Sequence, residues 1–237
     1  MAFVTDDGRQ YVVAGPWRRR SDIAEILEVS NGRHRVPLLN AVISALTAHG
    51  FRLLVLDYGL HMVDEDLCRD AGLAVVERIV EYERPDCRGV TQCPQHEVRP
   101  YTPADRDAVL DVERESFPWL WWNSTEEWES YVSTPGVDVI IAKDHGRIVG
   151  YAGTTIHHRD GHLDRLAVRQ SDQGRGFGAA LLAETLVRLD RAGARRVRLT
   201  TQENNFRSQA LYERYGFRRG RWTYTIYGKW LEQPEGS

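Results

Sequence analysis

The chain has 237 residues, of which 42% are hydrophobic and 27% are charged. This composition is typical of a folded chain with one large domain or with a large and a small one, and it excludes collagen, disordered-tail and coiled-coil classes. Its 31 basic and 34 acidic side chains give a formal net charge of -3, so no global positive field favours nucleic acid or an anionic membrane. No apolar run approaches the roughly 20 residues that cross a bilayer, and residues 1–20 lack an apolar signal-peptide core. We therefore expect a cytoplasmic protein with no nucleic-acid partner and no membrane partner.

The three cysteines, Cys68, Cys87 and Cys93, are too few and too odd in number for a disulfide framework. Cys87, Cys93 and His96 are residue types that bind zinc, but a fourth ligand is missing nearby and the cysteine spacing is longer than in a zinc knuckle. We therefore expect a reduced compartment and no metal site.

Residues 1–84 resemble an incomplete copy of the second half of the chain. Four segments recur in the same order and at similar spacing: 7–15, 27–29, 38–50 and 67–73 match 145–153, 166–168, 181–193 and 211–217. Between Val29 and Leu38 the first copy is four residues shorter and lacks spaced glycines, and Cys68 takes the place of a tyrosine. The pattern predicts a degenerate half domain without a phosphate site of its own; the alternative is chance similarity between two α/β segments.

Residues 85–95 contain two prolines, a glycine and two cysteines with little apolar pattern, which predicts a linker. The remaining residues, 96–237, have the pattern of a complete α/β domain. Its predicted elements are a strand at 98–101, a helix from Thr102 to Ser116, an aromatic loop at 117–122, a helix start at Ser124, a hairpin of strands 137–143 and 147–155, a strand at 162–168, helix 177–192, strand 196–201, helix 205–215 and two closing strands within 217–231.

A glycine loop, residues 173–178, lies between a strand that ends at Val168 and an amphipathic helix. Glycines at this spacing let the backbone turn sharply and present successive N–H groups, and the helix start adds the positive end of its dipole. The loop is therefore suited to a pyrophosphate. It is not a Walker loop, since no Gly-Lys-Ser/Thr follows, and its alternate glycines depart from the dinucleotide fingerprint.

Together with Asn205, the pair Leu211-Tyr212 and the pair Gly216-Phe217, this loop resembles the two motif blocks of the GNAT superfamily of acyl-CoA-dependent N-acyltransferases. The resemblance covers about residues 98–231 and implies a mixed α/β fold, a mostly antiparallel sheet flanked by helices, with 1–84 a smaller GNAT-like half domain. It implies acetyl-CoA as co-substrate, with the pyrophosphate on the loop amides and the pantetheine arm along the preceding strand. The cofactor-binding residues so implied are Leu166, Ala167, Val168, Gln173, Gly174, Arg175, Gly176, Phe177, Gly178, Ala179, Asn205 and Tyr212.

The resemblance also places Tyr212 near the sulfur of the cofactor, where it would protonate the departing thiolate. Chemistry supports this role, because a thiolate leaving group needs a nearby proton donor. The alternative is a tyrosine whose ring packs the helix.

A general base is needed because an amine must lose its proton before it attacks a thioester. Alternation along the strand 162–168 predicts His162, Asp164, Leu166 and Val168 on one face. His162 is the predicted base, since histidine titrates near neutrality, and Asp164 either orients it or binds a cationic substrate. Glu203 is a further candidate, and the alternative for His162 is a partly exposed strand residue.

These residues predict an N-acetyltransferase that acts on a primary amine, in a small molecule or a protein, by direct attack in a ternary complex. No cysteine lies in the motif blocks, which argues against an acyl-enzyme. The alternative is a non-catalytic acyl-CoA-binding sensor or assembly module; a homodimer is left open. Five aromatic residues either line the acceptor pocket or fill the core: Phe117, Trp119, Trp121, Trp122 and Trp128.

Overall fold

The computed structural model describes residues 2–6, 8–32, 35–56, 65–90 and 95–231. The chain divides into two compact units, one of Met1–Ile79 with Thr223–Ser237 and one of Val80–Trp222. Two strands, β5 (Ala74–Arg84) and β11 (Arg218–Trp230), contribute residues to both units. The predicted division into 1–84, a linker and 96–237 stays a prediction.

The first unit pairs its strands in the order β1-β2-β3-β4-β11. Pairs β1–β2, β2–β3 and β4–β11 are antiparallel, whereas β3 and β4 are parallel. Buried side chains of helix α1, including Leu39 and Leu46, pack with Val12 and Ile26 of the sheet. Its elements are β1 (Phe3–Asp6), β2 (Tyr11–Pro16), β3 (Ile23–Val29), α1 (Arg35–Ala48), β4 (Leu53–Leu56) and α2 (Glu65–Asp70).

The second unit pairs its strands in the order β5-β10-β9-β8-β7-β6. Strands β6 to β9 are antiparallel and β9 is parallel to β10, so the predicted mixed, mostly antiparallel sheet flanked by helices is confirmed. Helix α5 packs in one apolar cluster and helices α3 and α4 in another. The elements are β6 (Glu97–Pro100), α3 (Arg106–Ser116), α4 (Thr125–Val132), β7 (Val137–Asp144), β8 (Arg147–His157), β9 (Asp160–Val168), α5 (Phe177–Arg191), β10 (Arg196–Gln202) and α6 (Phe206–Arg214).

Local sequence explains several boundaries of the second unit. The Ser124 hydroxyl accepts a hydrogen bond from the backbone N–H of Glu127 at 3.0 Å and so caps α4. His145 and Gly146 both have positive φ, 47° and 82°, as a tight hairpin turn between β7 and β8 requires. Thr102 and Asp105 form a capping box. The box encloses a short 3-10 turn, Pro103–Asp105, with which the predicted helix begins.

The prediction of two closing strands is wrong, because β11 runs without interruption from Arg218 to Trp230. Its glycines do not end the strand; they allow close approach of neighbouring groups. A Cβ atom at Gly228 would lie 2.8 Å from the Leu54 carbonyl oxygen, and one at Gly220 would lie 2.9 Å from the Glu81 carboxylate.

The predicted repeat agrees with the order of the elements. Both β1 to β5 and β7 to β11 follow the order β-β-β-α-β-α-β. Cys68, at the position of the tyrosine, is buried in the core of the first unit. Asp7 and residues 33–34 of the first copy lie outside the described residues.

The predicted linker is described from residue 85 to residue 90 and at residue 95, and it has no regular secondary structure there. Cys87 is nevertheless buried in the core of the second unit, and burial raises the pKa of its thiol to about 11. Cys93 lies outside the described residues. No helix in the described part of the chain is long and apolar enough to span a membrane.

Candidate active site

The glycine loop connects the end of β9 to the start of α5 and exposes a run of backbone N–H groups. Gly174 and Gly176 have positive φ, 81° and 94°, which glycine adopts at little cost. Among the described residues, the N–H groups of residues 174–179 meet no hydrogen-bond acceptor. The first N–H groups of a helix lack partners by geometry, and here the left-handed glycines extend that run into the loop. The loop can therefore bind an anion through its backbone.

Side chains on either side hold the loop in place. The Gln173 amide nitrogen donates to the Val168 carbonyl at 3.0 Å, and its amide oxygen accepts from Arg207. Arg175 forms ion pairs with Asp172 at 2.6 Å and Asp144 at 2.8 Å. Because two carboxylates neutralise its guanidinium, Arg175 can contribute its backbone N–H to an anion more readily than its charge.

His96 packs over the loop, a position that the sequence did not suggest. A Cβ atom at Gly176 would lie 2.9 Å from the His96 Nε2 atom, and the His96 ring centroid lies 4.4 Å from that of Phe177. The described residues contain no group of three or more His, Cys, Asp or Glu side chains placed to hold a metal ion.

Strand β9 separates from β10 at Asp164. The parallel ladder joins Asp160–Leu163 to Arg196–Leu199 and ends there. On the other edge, β8 pairs Gly153 with Arg165 and Thr154 with Leu163, so Asp164 is the extra residue of a β-bulge. Beyond Asp164, β9 therefore stays paired with β8 along one edge, while its opposite edge is no longer part of the ladder with β10.

The bulge corrects the predicted strand face. His162 and Asp164 do share a face, because their side chains are hydrogen-bonded. Leu166 and Val168, however, pack with Leu163 in the cluster around α5. The extra residue reverses the alternation between Leu163 and Arg165, which a pattern of strict period two cannot anticipate.

Four side chains form a hydrogen-bonded group at the bulge. His162 Nδ1 lies 2.7 Å from Asp164 Oδ1, while Asp164 Oδ2 accepts from the Tyr131 hydroxyl at 2.8 Å and the Thr155 hydroxyl at 2.7 Å. An ionised carboxylate can only accept, so the contact selects the tautomer of the neutral imidazole in which Nδ1 carries the proton and Nε2 has the lone pair. The His162 side chain is 43% exposed, which leaves Nε2 accessible.

Tyr131 comes from α4, and no sequence motif indicates its contact with Asp164. Its ring lies against β8, because a Cβ atom at Gly153 would be 2.5 Å from the Tyr131 hydroxyl oxygen. Burial and the Asp164 carboxylate raise the pKa of Tyr131 well above its ordinary range. The phenol therefore remains a donor to Asp164.

Tyr212 lies near the C-terminal end of α6 and is 6% exposed. Its ring packs against Tyr82 and Phe217, with centroid distances of 6.1 Å and 5.9 Å. Burial raises the pKa of Tyr212 to about 12, although a hydrogen bond with Ser208 acts in the opposite direction. The phenol is thus neutral over the ordinary range of pH.

Two other predicted site residues have partners within the protein. Asn205 caps α6 by accepting from the Ser208 N–H at 3.3 Å, and its amide nitrogen lies 3.3 Å from the Thr201 hydroxyl. Glu203 forms an ion pair with Arg219 at 2.9 Å. The Glu203 carboxylate is thus already paired with a cation.

The aromatic loop after α3 is anchored by a buried charged group. Arg165 donates to the Trp121 carbonyl and the Asn123 side chain, and its guanidinium lies over the Phe117 ring at 4.9 Å. Glu113, 1% exposed, accepts from the Asn123 backbone N–H at 2.7 Å. Trp128 is completely buried in the core, whereas Phe117, Trp119, Trp121 and Trp122 are only partly buried.

Comparison with known proteins adds independent evidence. The family model described as "Acetyltransferase (GNAT) family" matches residues 101–217. An uncharacterized N-acetyltransferase of Methanocaldococcus jannaschii is 30% identical over 125 residues, which are 51% of this chain and 77% of that protein. The mycothiol acetyltransferase of Streptomyces coelicolor is 27% identical over 186 residues, which are 73% of this chain and 60% of that protein.

A solved structure resembles nearly the whole chain. It is a tandem GNAT protein from the clavulanic acid biosynthesis pathway, determined without acetyl-CoA, and it matches with a TM-score of 0.64 at 14% identity. The match covers 98% of this chain and 82% of that one. At this identity the likeness shows the fold.

Proposed function

Because the chain belongs to the GNAT acetyltransferase family, we propose that it transfers an acetyl group from acetyl-CoA to a primary amine by direct attack in a ternary complex. The observation that carries this proposal is the layout of β9 (Asp160–Val168). The strand leads from the His162–Asp164 pair, at the point where β10 diverges, to the glycine loop that follows Val168. One strand therefore connects a base to an anion-binding loop.

The residues present fit coenzyme A. The N–H groups of residues 174–179 suit its pyrophosphate, with Gln173 holding the loop to the end of β9. The edge of Leu166, Ala167 and Val168 that lies beyond the β10 ladder suits the amides of the pantetheine arm, as an added strand would. Asn205, at the start of α6, is proposed to bind the same arm.

His162 acts as the general base in this proposal. Its Nε2 lone pair accepts a proton from the ammonium form of the acceptor, and Asp164 holds the Nδ1 proton in place and stabilises the resulting imidazolium. The Tyr131 and Thr155 hydroxyls hold Asp164 in turn. Asp164 thus orients the base, and three donors already occupy its roughly four acceptor positions, which leaves it little capacity to bind a cationic substrate.

Tyr212 assists the leaving group by hydrogen bonding. Complete proton transfer from a phenol with a pKa of about 12 to a thiolate with a pKa of about 8.5 would be uphill by about 5 kcal/mol. A hydrogen bond from the same phenol stabilises the developing negative charge on sulfur without that transfer. We therefore assign Tyr212 as a hydrogen-bond donor to the departing thiolate. The thiolate takes up the proton that the amine nitrogen loses when the amide forms, directly or through water, so the transfer balances.

The experiment that tests the proposal is a thiol assay of coenzyme A release from acetyl-CoA. The acceptor panel contains arylalkylamines, polyamines, aminoglycosides, amino acids and short peptides with free N-termini, and calorimetry measures acetyl-CoA binding in parallel. Acceptor-dependent release is expected. Tight acetyl-CoA binding with no release from any acceptor would instead favour the non-catalytic acyl-CoA sensor.

A further inference from the structure

Arg198 is the cross-strand neighbour of the proposed base. The parallel ladder sets His162 opposite Arg198, and the antiparallel ladder sets His162 opposite Thr155. Side chains at paired positions of adjacent strands project from the same face, about 4.8 Å apart in the pairing direction. Arg198 therefore flanks His162 on the side away from Thr155, and its side chain is 39% exposed.

The two arginines on this face differ in how closely they are paired. Arg196 holds Asp160 with two hydrogen bonds, at 2.7 Å and 2.8 Å, whereas Arg198 approaches the same carboxylate only to 3.6 Å. Asp160 is also opposite His157 in the ladder. Its pKa is lowered, first by the Arg196 hydrogen bond and then by the surrounding positive charge. The charge of Glu83, on the neighbouring strand β5, also acts on Arg196. Arg196 is therefore closely paired, whereas Arg198 has the longer 3.6 Å contact with Asp160.

A cationic acceptor finds little to bind on these strands. Strands β8, β9 and β10 carry two carboxylates, Asp160 and Asp164. Asp160 is bound by Arg196, and Asp164 accepts from three donors around His162. An acceptor whose anionic group lies against Arg198 would instead give this guanidinium a closer partner than Asp160, which lies 3.6 Å away.

We propose that the amine acceptor carries an anionic group, a carboxylate or a phosphate, and that Arg198 binds this group while His162 deprotonates the amine. The inference rests on the proposed function and names its substrate class. Guanidinium groups bind planar carboxylates and phosphates through paired hydrogen bonds. Because Arg198 already lies beside His162, such a contact would orient the amine toward the base.

The test compares acceptors that share an amine and differ in charge. One series is an α-amino acid, its carboxamide and the corresponding decarboxylated amine; the other is ethanolamine and its phosphate ester. The thiol assay measures kcat/KM for each with acetyl-CoA. We expect about a tenfold preference for the anionic member of at least one series, and the responding series tells carboxylate from phosphate.

Variants separate a specific contact from the general field. Arg198→Ala should remove the preference and Arg198→Lys should keep part of it. Arg195→Ala, which removes an exposed arginine next to the same strand, should leave the preference unchanged. Equal kcat/KM for charged and neutral members, or a preference that survives in Arg198→Ala, would overturn the inference while leaving the proposed function intact. No release from any acceptor would contradict the proposed function itself.

Discussion

Replacing Asp164 by asparagine should invert the tautomer of the proposed base. In the wild-type protein, Asp164 Oδ2 accepts from the Tyr131 and Thr155 hydroxyls and Oδ1 faces His162 Nδ1. Asparagine has one accepting oxygen and one NH₂ group. If the oxygen keeps the two hydroxyl donors, the NH₂ group faces Nδ1, which must then be the unprotonated nitrogen. The proton moves to Nε2, where the base needs its lone pair.

The size of the effect follows from these hydrogen bonds. In the reversed amide the NH₂ group would donate to the two hydroxyl oxygens, and the Tyr131 and Thr155 O–H groups would lose Asp164 as their acceptor. Two donors that lose their acceptor cost about 1 kcal/mol each. The inactive tautomer is therefore favoured by about 2 kcal/mol, or about 30-fold. We expect kcat to fall by at least about 30-fold and by up to about 10⁴-fold, the upper range for loss of a general base.

The measurement is kcat by the thiol assay together with the Kd of acetyl-CoA by calorimetry. Asp164 lies at the bulge in the middle of β9, and its carboxylate is bonded to His162, Tyr131 and Thr155. The Kd should therefore stay within about twofold. Thr155→Val is the matched control: it removes one of the two hydroxyl donors but keeps the carboxylate, and it should cost much less than Asp164→Asn. A kcat near that of the wild type in Asp164→Asn would refute the assignment of His162 and Asp164.

Three further changes test other parts of the structure. Gly176→Trp should abolish acetyl-CoA binding measured by calorimetry, because the side chain would occupy the anion-binding face of the loop and displace His96. A cooperative melt would confirm that the variant folds, and unchanged affinity would contradict the loop assignment. Tyr212→Phe should lower kcat by about 10- to 100-fold and leave the Kd of acetyl-CoA nearly unchanged. Since the pKa of Tyr212 is about 12, ionisation of this group should not lower the wild-type rate up to about pH 10. A variant as fast as the wild type would remove Tyr212 from the mechanism. Asp105→Asn should cost about 2 kcal/mol of unfolding free energy at pH 7, because hydrogen bonds from Arg99 lower the pKa of this buried carboxyl. A lowered pKa stabilises the fold above the pKa of a free aspartate, about 3.9, and this contribution is lost as pH falls below it, so urea titrations at pH 3 should show a smaller difference between the two proteins.

The parts of the site that depend on neighbouring residues could be predicted from the sequence. The glycine loop combines a strand end, spaced glycines and a helix start in one short segment, and the structure places them in that order. Most helices and strands also begin close to where caps and turn residues predict, as at Ser124 and Gly146. Local backbone preferences decide these features, so one segment of sequence contains the information.

The parts that depend on distant residues could not be predicted. Tyr131 reaches Asp164 from a separate helix, and His96 packs over Gly176 from the segment before β6. The bulge at Asp164 arises from pairing with β8, and the order of polar and apolar residues in β9 does not indicate it. Strand pairing and helix packing set these contacts, and a single sequence does not encode them as a pattern.

The first unit has part of the backbone geometry of the candidate active site but lacks its candidate catalytic and anion-binding residues. In the first unit the β3–β4 ladder joins only Ile23–Glu25 to Leu53–Val55, and the β2–β3 ladder skips Leu27 as an extra residue. A strand separation and a bulge therefore occur on β3 as well. The β4 ladder ends at Glu25 and the extra residue is Leu27, which the repeat aligns with Leu166 and not with Asp164. Since the first unit also lacks the spaced glycines, this backbone arrangement forms without the base or the anion-binding loop. The side chains and glycines specific to the second unit, and not the divided sheet itself, are what confine the proposed acetyl transfer to that unit.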